Sequence, residues 1–118
     1  MAEAATKGGD EKGGEAPIDR DHLARMTFGD KALERELLEL FDRQAALLVP
    51  RMRDTDAASV AALAHTLKGS ALGIGASEVA AIAAAVEQHQ DPERLCALGR
   101  SVERVRMAIA AMLAPRAN

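Results

Sequence analysis

Apolar side chains return every three or four positions along most of this chain, the period of a helix with one buried face. From Lys31 to about Arg53, Leu33, Leu37, Leu40, Phe41, Leu48 and Met52 keep that spacing, with Glu34, Arg35, Glu39, Asp42 and Arg43 between them. Pro50 has no amide proton to give the preceding turn, so a kink or a break is expected there. Asp54, Thr55 and Asp56 offer caps for a second long helix that runs to about Ile74 and stops at Gly75. Ser77 or its neighbour opens a third, to about Gln90. Asp91 followed by Pro92 caps a fourth, in which Leu95, Leu98, Val102, Val105, Ile109 and Met112 line one seam. Ahead of them, Asp19 caps a short helix through about Met26, which Gly29 ends before Asp30 restarts the chain as a cap. No run has the two-residue alternation of a strand. The pattern predicts an all-α protein, an antiparallel up-down four-helix bundle with a short extra N-terminal helix.

Composition narrows this further. Residues 1–17 hold Gly pairs and alternating charges with no large apolar group to bury, which predicts a flexible tail ahead of a single domain over 18–118. With no Trp or Tyr and only Phe28 and Phe41 as rings, the core must be aliphatic, which favours helices. A net charge of −3 lacks the basic excess that nucleic acid or an anionic membrane surface requires. The single cysteine, Cys96, can form no internal disulfide and is expected as a small core filler. No apolar stretch reaches the roughly 18 residues of a membrane span, and no signal peptide is evident, so a cytoplasmic protein is expected.

The second long helix carries the candidate chemistry. At about 100° per residue, Val60, Leu63, Leu67, Ala71 and Ile74 fall roughly opposite His65, so the imidazole faces water. Its own stripe is made of Ala58, Ala61, Ala62, Gly69, Leu72 and Gly73, nearly all small, with Lys68 at one flank. Each interior glycine costs about 1 kcal/mol against alanine. Small residues on a helix commonly serve close packing, but packing that stripe would leave Leu63, Leu67 and Ile74 in water, at about 1.5–3 kcal/mol each. The remaining reading is a low surface cleared for another protein's approach to His65. A neutral, exposed histidine can act as a nucleophile near neutral pH. Lys68 can lend positive charge to a phosphoryl group carried by the ring, or can be an ordinary solvated lysine. Ser70 is expected to bond back within its own helix, and His22 and His89 to lie on the surface.

The string His65-Thr66-Leu67-Lys68-Gly69-Ser70-Ala71, followed by Ile74-Gly75-Ala76, closely resembles the signature of histidine-containing phosphotransfer (HPt) domains of two-component phosphorelays. Phe28-Gly29-Asp30, the Leu-rich helix to Phe41, and Val86-Glu87 fall in the family's order, so the resemblance runs from Phe28 onward. It implies that His65 accepts a phosphoryl group on Nε2 from a receiver-domain aspartate or a kinase and passes it to another receiver. It gives Lys68 the phosphate-side charge, Gly69 the space for the receiver and Gly75 the turn. It also implies that Glu87, at the edge of the inward stripe Val79, Ile82, Ala83 and Val86, accepts a hydrogen bond from the histidine's Nδ1. A solvated Glu87, with Gln88 as the ring's partner, is the alternative. The implied partners are response-regulator receivers and a sensor or hybrid histidine kinase.

The sequence has no Gly-rich phosphate loop and no carboxylate cluster suited to Mg²⁺. A carrier without ATP binding, cofactor or resident metal is therefore expected, with Mg²⁺ supplied by the receiver. The Met start and the Ala-Pro-Arg-Ala-Asn end suggest a free-standing relay protein rather than a module cut from a hybrid kinase, and a monomer is expected because the bundle closes on itself. Two other readings remain at this point: a helical docking adaptor that carries no phosphate, and the phosphoacceptor fragment of a histidine kinase, which would be an obligate dimer.

Overall fold

Asp19, Asp30, Asp56 and Asp91 each accept a hydrogen bond from the backbone amide three residues on, and each opens a helix. The computed structural model describes residues 16–115, so residues 1–15 of the expected 1–17 tail, and the last three residues, lie outside it. The helices are α1 (Arg20–Met26), α2 (Lys31–Arg53), α3 (Ala57–Ile74), α4 (Ser77–Gln88) and α5 (Pro92–Leu113). Among the described residues there is no strand. Packing follows chain order: α2 lies on α3, α3 on α4, α4 on α5, and α5 returns to α2, while α1 rests on α3.

The buried seam of α2 is Leu38, Phe41, Ala45, Leu48 and Met52, alternating steps of three and four. The sequence reading favoured Leu33, Leu37 and Leu40, and these differ: Leu33 and Leu37 are half-buried and Leu40 is exposed. A helix contacts its neighbours along one stripe, and Leu40 lies off it. On α3 the core side is Val60, Ala64, Leu67, Ala71 and Ile74, with Leu63 half-buried at the edge. On α5 the seam is Leu98, Ser101, Val102, Val105 and Ile109, with Leu95 and Met112 at its half-buried ends.

Pro50 does not break α2. It stands in the last turn, where one lost i−4 bond is the whole cost of the missing amide proton. Helix α4 ends at Gln88 rather than Gln90 because the Gln90 side chain donates to the carbonyls of Val86 and Glu87 and so caps the end itself. Cys96 is exposed, not a core filler.

At the end of α3, Gly75 takes a left-handed backbone, φ 77°, and its amide bonds back to Leu72. Asp19 of the α1 cap donates its amide to the Gly75 carbonyl at 2.9 Å, so α1 sits directly on this turn. His22, half-buried rather than free on the surface, has Nε2 2.9 Å from the Leu72 carbonyl. A carbonyl only accepts, so that nitrogen carries the proton.

Candidate functional site

The site is built across the hairpin of α3 and α4. Only Gly75 and Ala76 join the two helices, so α4 must run back along α3. His65 lies nine residues before the end of α3 and Glu87 ten residues after the start of α4. Both helices rise by about 1.5 Å per residue, so the two side chains arrive at the same level. Ala64 and Ala71 on α3 and Ala80 and Ala83 on α4 are buried, and their small side chains let the helices approach closely.

At that level the His65 Nδ1 is 2.7 Å from Glu87 Oε2, and the Lys68 ammonium is 3.0 Å from Glu87 Oε1. One carboxylate thus engages two residues of α3 that are a single turn apart. The His65 side chain is 66% exposed, against 29% for Lys68 and 23% for Glu87. The lysine and the glutamate lie down against the protein while the ring stands out. Glu87 titrates below the usual glutamate range, first because of the Lys68 hydrogen bond and then because of the bond from His65, with partial burial opposing both. An ionised carboxylate only accepts, so the neutral ring holds its proton on Nδ1 and its lone pair on the outward Nε2. Gln88 is exposed and takes no part in this contact.

Around the ring, Ala58, Ala62, Gly69 and Leu72 are exposed, and Ala61 and Gly73 are half-buried. A Cβ added at Gly69 or Gly73 would meet nothing within 4 Å. Close helix packing therefore does not account for either glycine, and the helix tolerates them on an open surface. Beside this face runs a shallow groove of about 230 Å³ between α2 and α3, with Met26, Leu40, Gln44 and Gly73 among its walls. Met26, Leu40 and Leu72 are exposed apolar groups there, and of these the sequence reading had singled out only Leu72 for the surface. Leu40 lies off the α2 seam, which the structure sets through Leu38 and Ala45. Ser70 turns away from the ring and donates to Gln44 Oε1 at 2.6 Å, tying α3 to α2 instead of bonding within its own helix. His89 is exposed.

Across residues 30–114 the sequence matches the Hpt domain, a span that takes in α2 through α5. The chain belongs to the Hpt family. Hpt domains are the histidine phosphocarriers of two-component phosphorelays, not catalysts, and they interact with receiver domains and kinases. Comparison with curated proteins and with solved structures brought no match. Helix α1, which caps the α3–α4 turn of this Hpt domain, precedes the matched span. Among the described residues no three His, Cys, Asp or Glu side chains gather as ligands for a metal ion. No described helix is long and apolar enough to cross a membrane.

Proposed function

We propose that His65 is the phosphoacceptor, taking a phosphoryl group on Nε2 from the phospho-aspartate of one receiver domain, or from a kinase, and passing it to an aspartate of another. The observation that carries this reading is the bond between His65 Nδ1 and Glu87 Oε2 on an otherwise exposed ring, which leaves the Nε2 lone pair free and outward. In transfer from a receiver, that lone pair attacks the phosphorus of the acyl phosphate. The bond from phosphorus to the aspartyl oxygen breaks, and its electron pair leaves with the carboxylate. The ring now holds the phosphoryl group on Nε2 and the proton on Nδ1, and Glu87 faces its positive charge. The onward step reverses this: an aspartate oxygen attacks the phosphorus, and the N–P electron pair returns to Nε2.

Lys68, one turn from His65, supplies positive charge to the phosphoryl oxygens once they are in place. The small stripe from Ala58 to Gly73, with Leu72, Met26 and Leu40 along its border, serves as the receiver's docking surface. Mg²⁺ is expected from the receiver, which holds it for its own aspartate chemistry. We also read α2 to α5 as an antiparallel four-helix bundle, because their connections are two or three residues long and α5 returns to α2. A bundle that closes on itself supports a monomer, and the proposed receiver and kinase partners support a cytoplasmic location.

The test is a transfer assay against radiolabelled phospho-receivers. Wild type should take up label that is lost in acid and kept in base, and His65→Gln should take none while still binding the receiver. Equal labelling of His65→Gln, or binding without any labelling of wild type, would favour the docking adaptor.

A further inference from the structure

We infer that Phe28, in the turn between α1 and α2, is an aromatic anchor for the docking receiver. It takes a left-handed backbone, φ 55°, and is 94% exposed. A side chain of this size is strained in that conformation, and no burial offsets the strain. The turn itself does not need the ring. Thr27 ends α1 and is buried, its hydroxyl donating to the Leu23 carbonyl at 2.9 Å. The Phe28 amide then donates to the Arg25 carbonyl at 3.3 Å and the Gly29 amide to the Ala24 carbonyl at 2.9 Å, the two bonds of a Schellman ending. Glycine is the usual occupant of the first left-handed position in such an ending, and here that position holds phenylalanine. The apolar contact that commonly closes the motif comes from the next residue, and Gly29, at φ 76°, has no side chain to give. Phe28 thus strains the turn and packs on nothing within the fold. Strain kept without internal return points to a use outside the chain, and a rigid, exposed ring suits contact with another protein.

The inference rests on the proposed function, because the receiver is the partner whose seat this turn borders. Met26, in the last turn of α1, walls the groove between α2 and α3 together with Leu40 and Gly73, and His22 holds α1 to the Leu72 carbonyl. Gly73 follows His65 by eight residues on α3, about 12 Å along the axis. An interface of about 800 Å² per partner centred on His65 extends about 16 Å in each direction, so it takes in Gly73 and the adjoining Met26. Phe28, two residues beyond Met26, stands at its rim.

Phe28→Gly tests this, because glycine suits the left-handed backbone and removes the ring. The variant should melt a few degrees higher than wild type. Its Kd for a receiver domain that transfers phosphate to wild type, read by isothermal titration, should rise about five- to tenfold, the scale of losing one aromatic contact. Phe28→Tyr should bind as wild type does. A residue kept for the turn would give the opposite pair, a lower melting temperature with affinity unchanged. Either of those results in Phe28→Gly overturns the inference. Sedimentation of the same samples covers the other occupant: a wild-type dimer that Phe28→Gly dissociates, with receiver affinity unchanged, would assign the ring to a second copy of the chain and also overturn it. Labelling of wild type by phosphoramidate and by phospho-receivers is scored separately. A wild type that takes no phosphoryl group on His65 contradicts the functional reading, and the inference falls with it, whereas a labelled wild type whose receiver affinity is indifferent to Phe28 sinks the inference alone.

Discussion

Glu87 joins the two halves of the site, and its protonation sets the pH range over which His65 stays oriented. Its carboxyl titrates below its unfolded value, so the contact it makes is fully present above that value and is lost as pH falls through the lower, folded one. The Nδ1 anchor should therefore persist through the neutral range and into mild acid. A ¹³C titration of the Glu87 carboxyl should show a midpoint below that of a model peptide, and one at or above it would contradict the pairing. Replacing the anchor altogether, in Glu87→Ala, should slow phosphorylation of His65 by about 10- to 100-fold, the scale on which metal-ligating histidines suffer when the partner that orients them is lost. Glu87→Gln should lose much less, because its amide oxygen can still accept from Nδ1. His65 and Lys68 were legible in the motif, and the wheel placed the ring outward. Glu87 lay only at the edge of its helix's apolar stripe, and family resemblance rather than periodicity singled it out. That Lys68 rests on Glu87 was beyond the sequence, since it depends on the register of two helices. Cys96 was misjudged from residue type: it stands two positions before the buried Leu98, about 200° away on α5.

At the scale of the element, α3 carries glycines of two kinds. Gly69 and Gly73 have open space where a side chain would stand, so their use weakens the helix without any packing return. Gly69→Ala should stabilise the protein by up to about 1 kcal/mol, seen as a higher melting temperature, and leave small-donor phosphorylation intact. Gly69→Leu should also fold, yet lose transfer from a phospho-receiver while keeping reactivity toward phosphoramidate. Equal transfer from the receiver would show that this face is not where it docks. Gly75 is different. At φ 77° a Cβ would come within 2.8 Å of the Asp19 carbonyl oxygen, so a side chain meets both backbone strain and a clash with the α1 cap. Gly75→Ala should cost about 1–2 kcal/mol from the left-handed backbone alone, measurable by denaturant titration, and more if α1 is displaced. The starts of α1, α2, α3 and α5 and the end of α3 were legible because Asp caps and Gly75 mark them locally, whereas α4 carries no such cap at its start and stops two residues short of the expected Gln90. The α2 seam was not fully legible, because Ala45 is an inconspicuous core residue and Leu40 a conspicuous surface one.

In the whole molecule, an aliphatic core holds the α3–α4 hairpin that positions the ring. Leu67 is fully buried two residues from His65, and Leu67→Ala should cost about 2–5 kcal/mol. A smaller loss would mean that the hairpin is not anchored by this core. Polar ties between helices, such as Arg106 to Asp42 and Ser101 to Glu78, could not be paired from sequence, because each joins residues far apart in the chain. The all-helical class was legible, since every long segment repeats the same period and short connections leave few ways to stack them. The central claim concerns one atom. ³¹P NMR of the protein after incubation with a phosphorylated receiver should show a single phosphohistidine resonance of the Nε2 isomer, absent from His65→Gln. A resonance of the Nδ1 isomer, or a signal that survives in His65→Gln, would contradict the account.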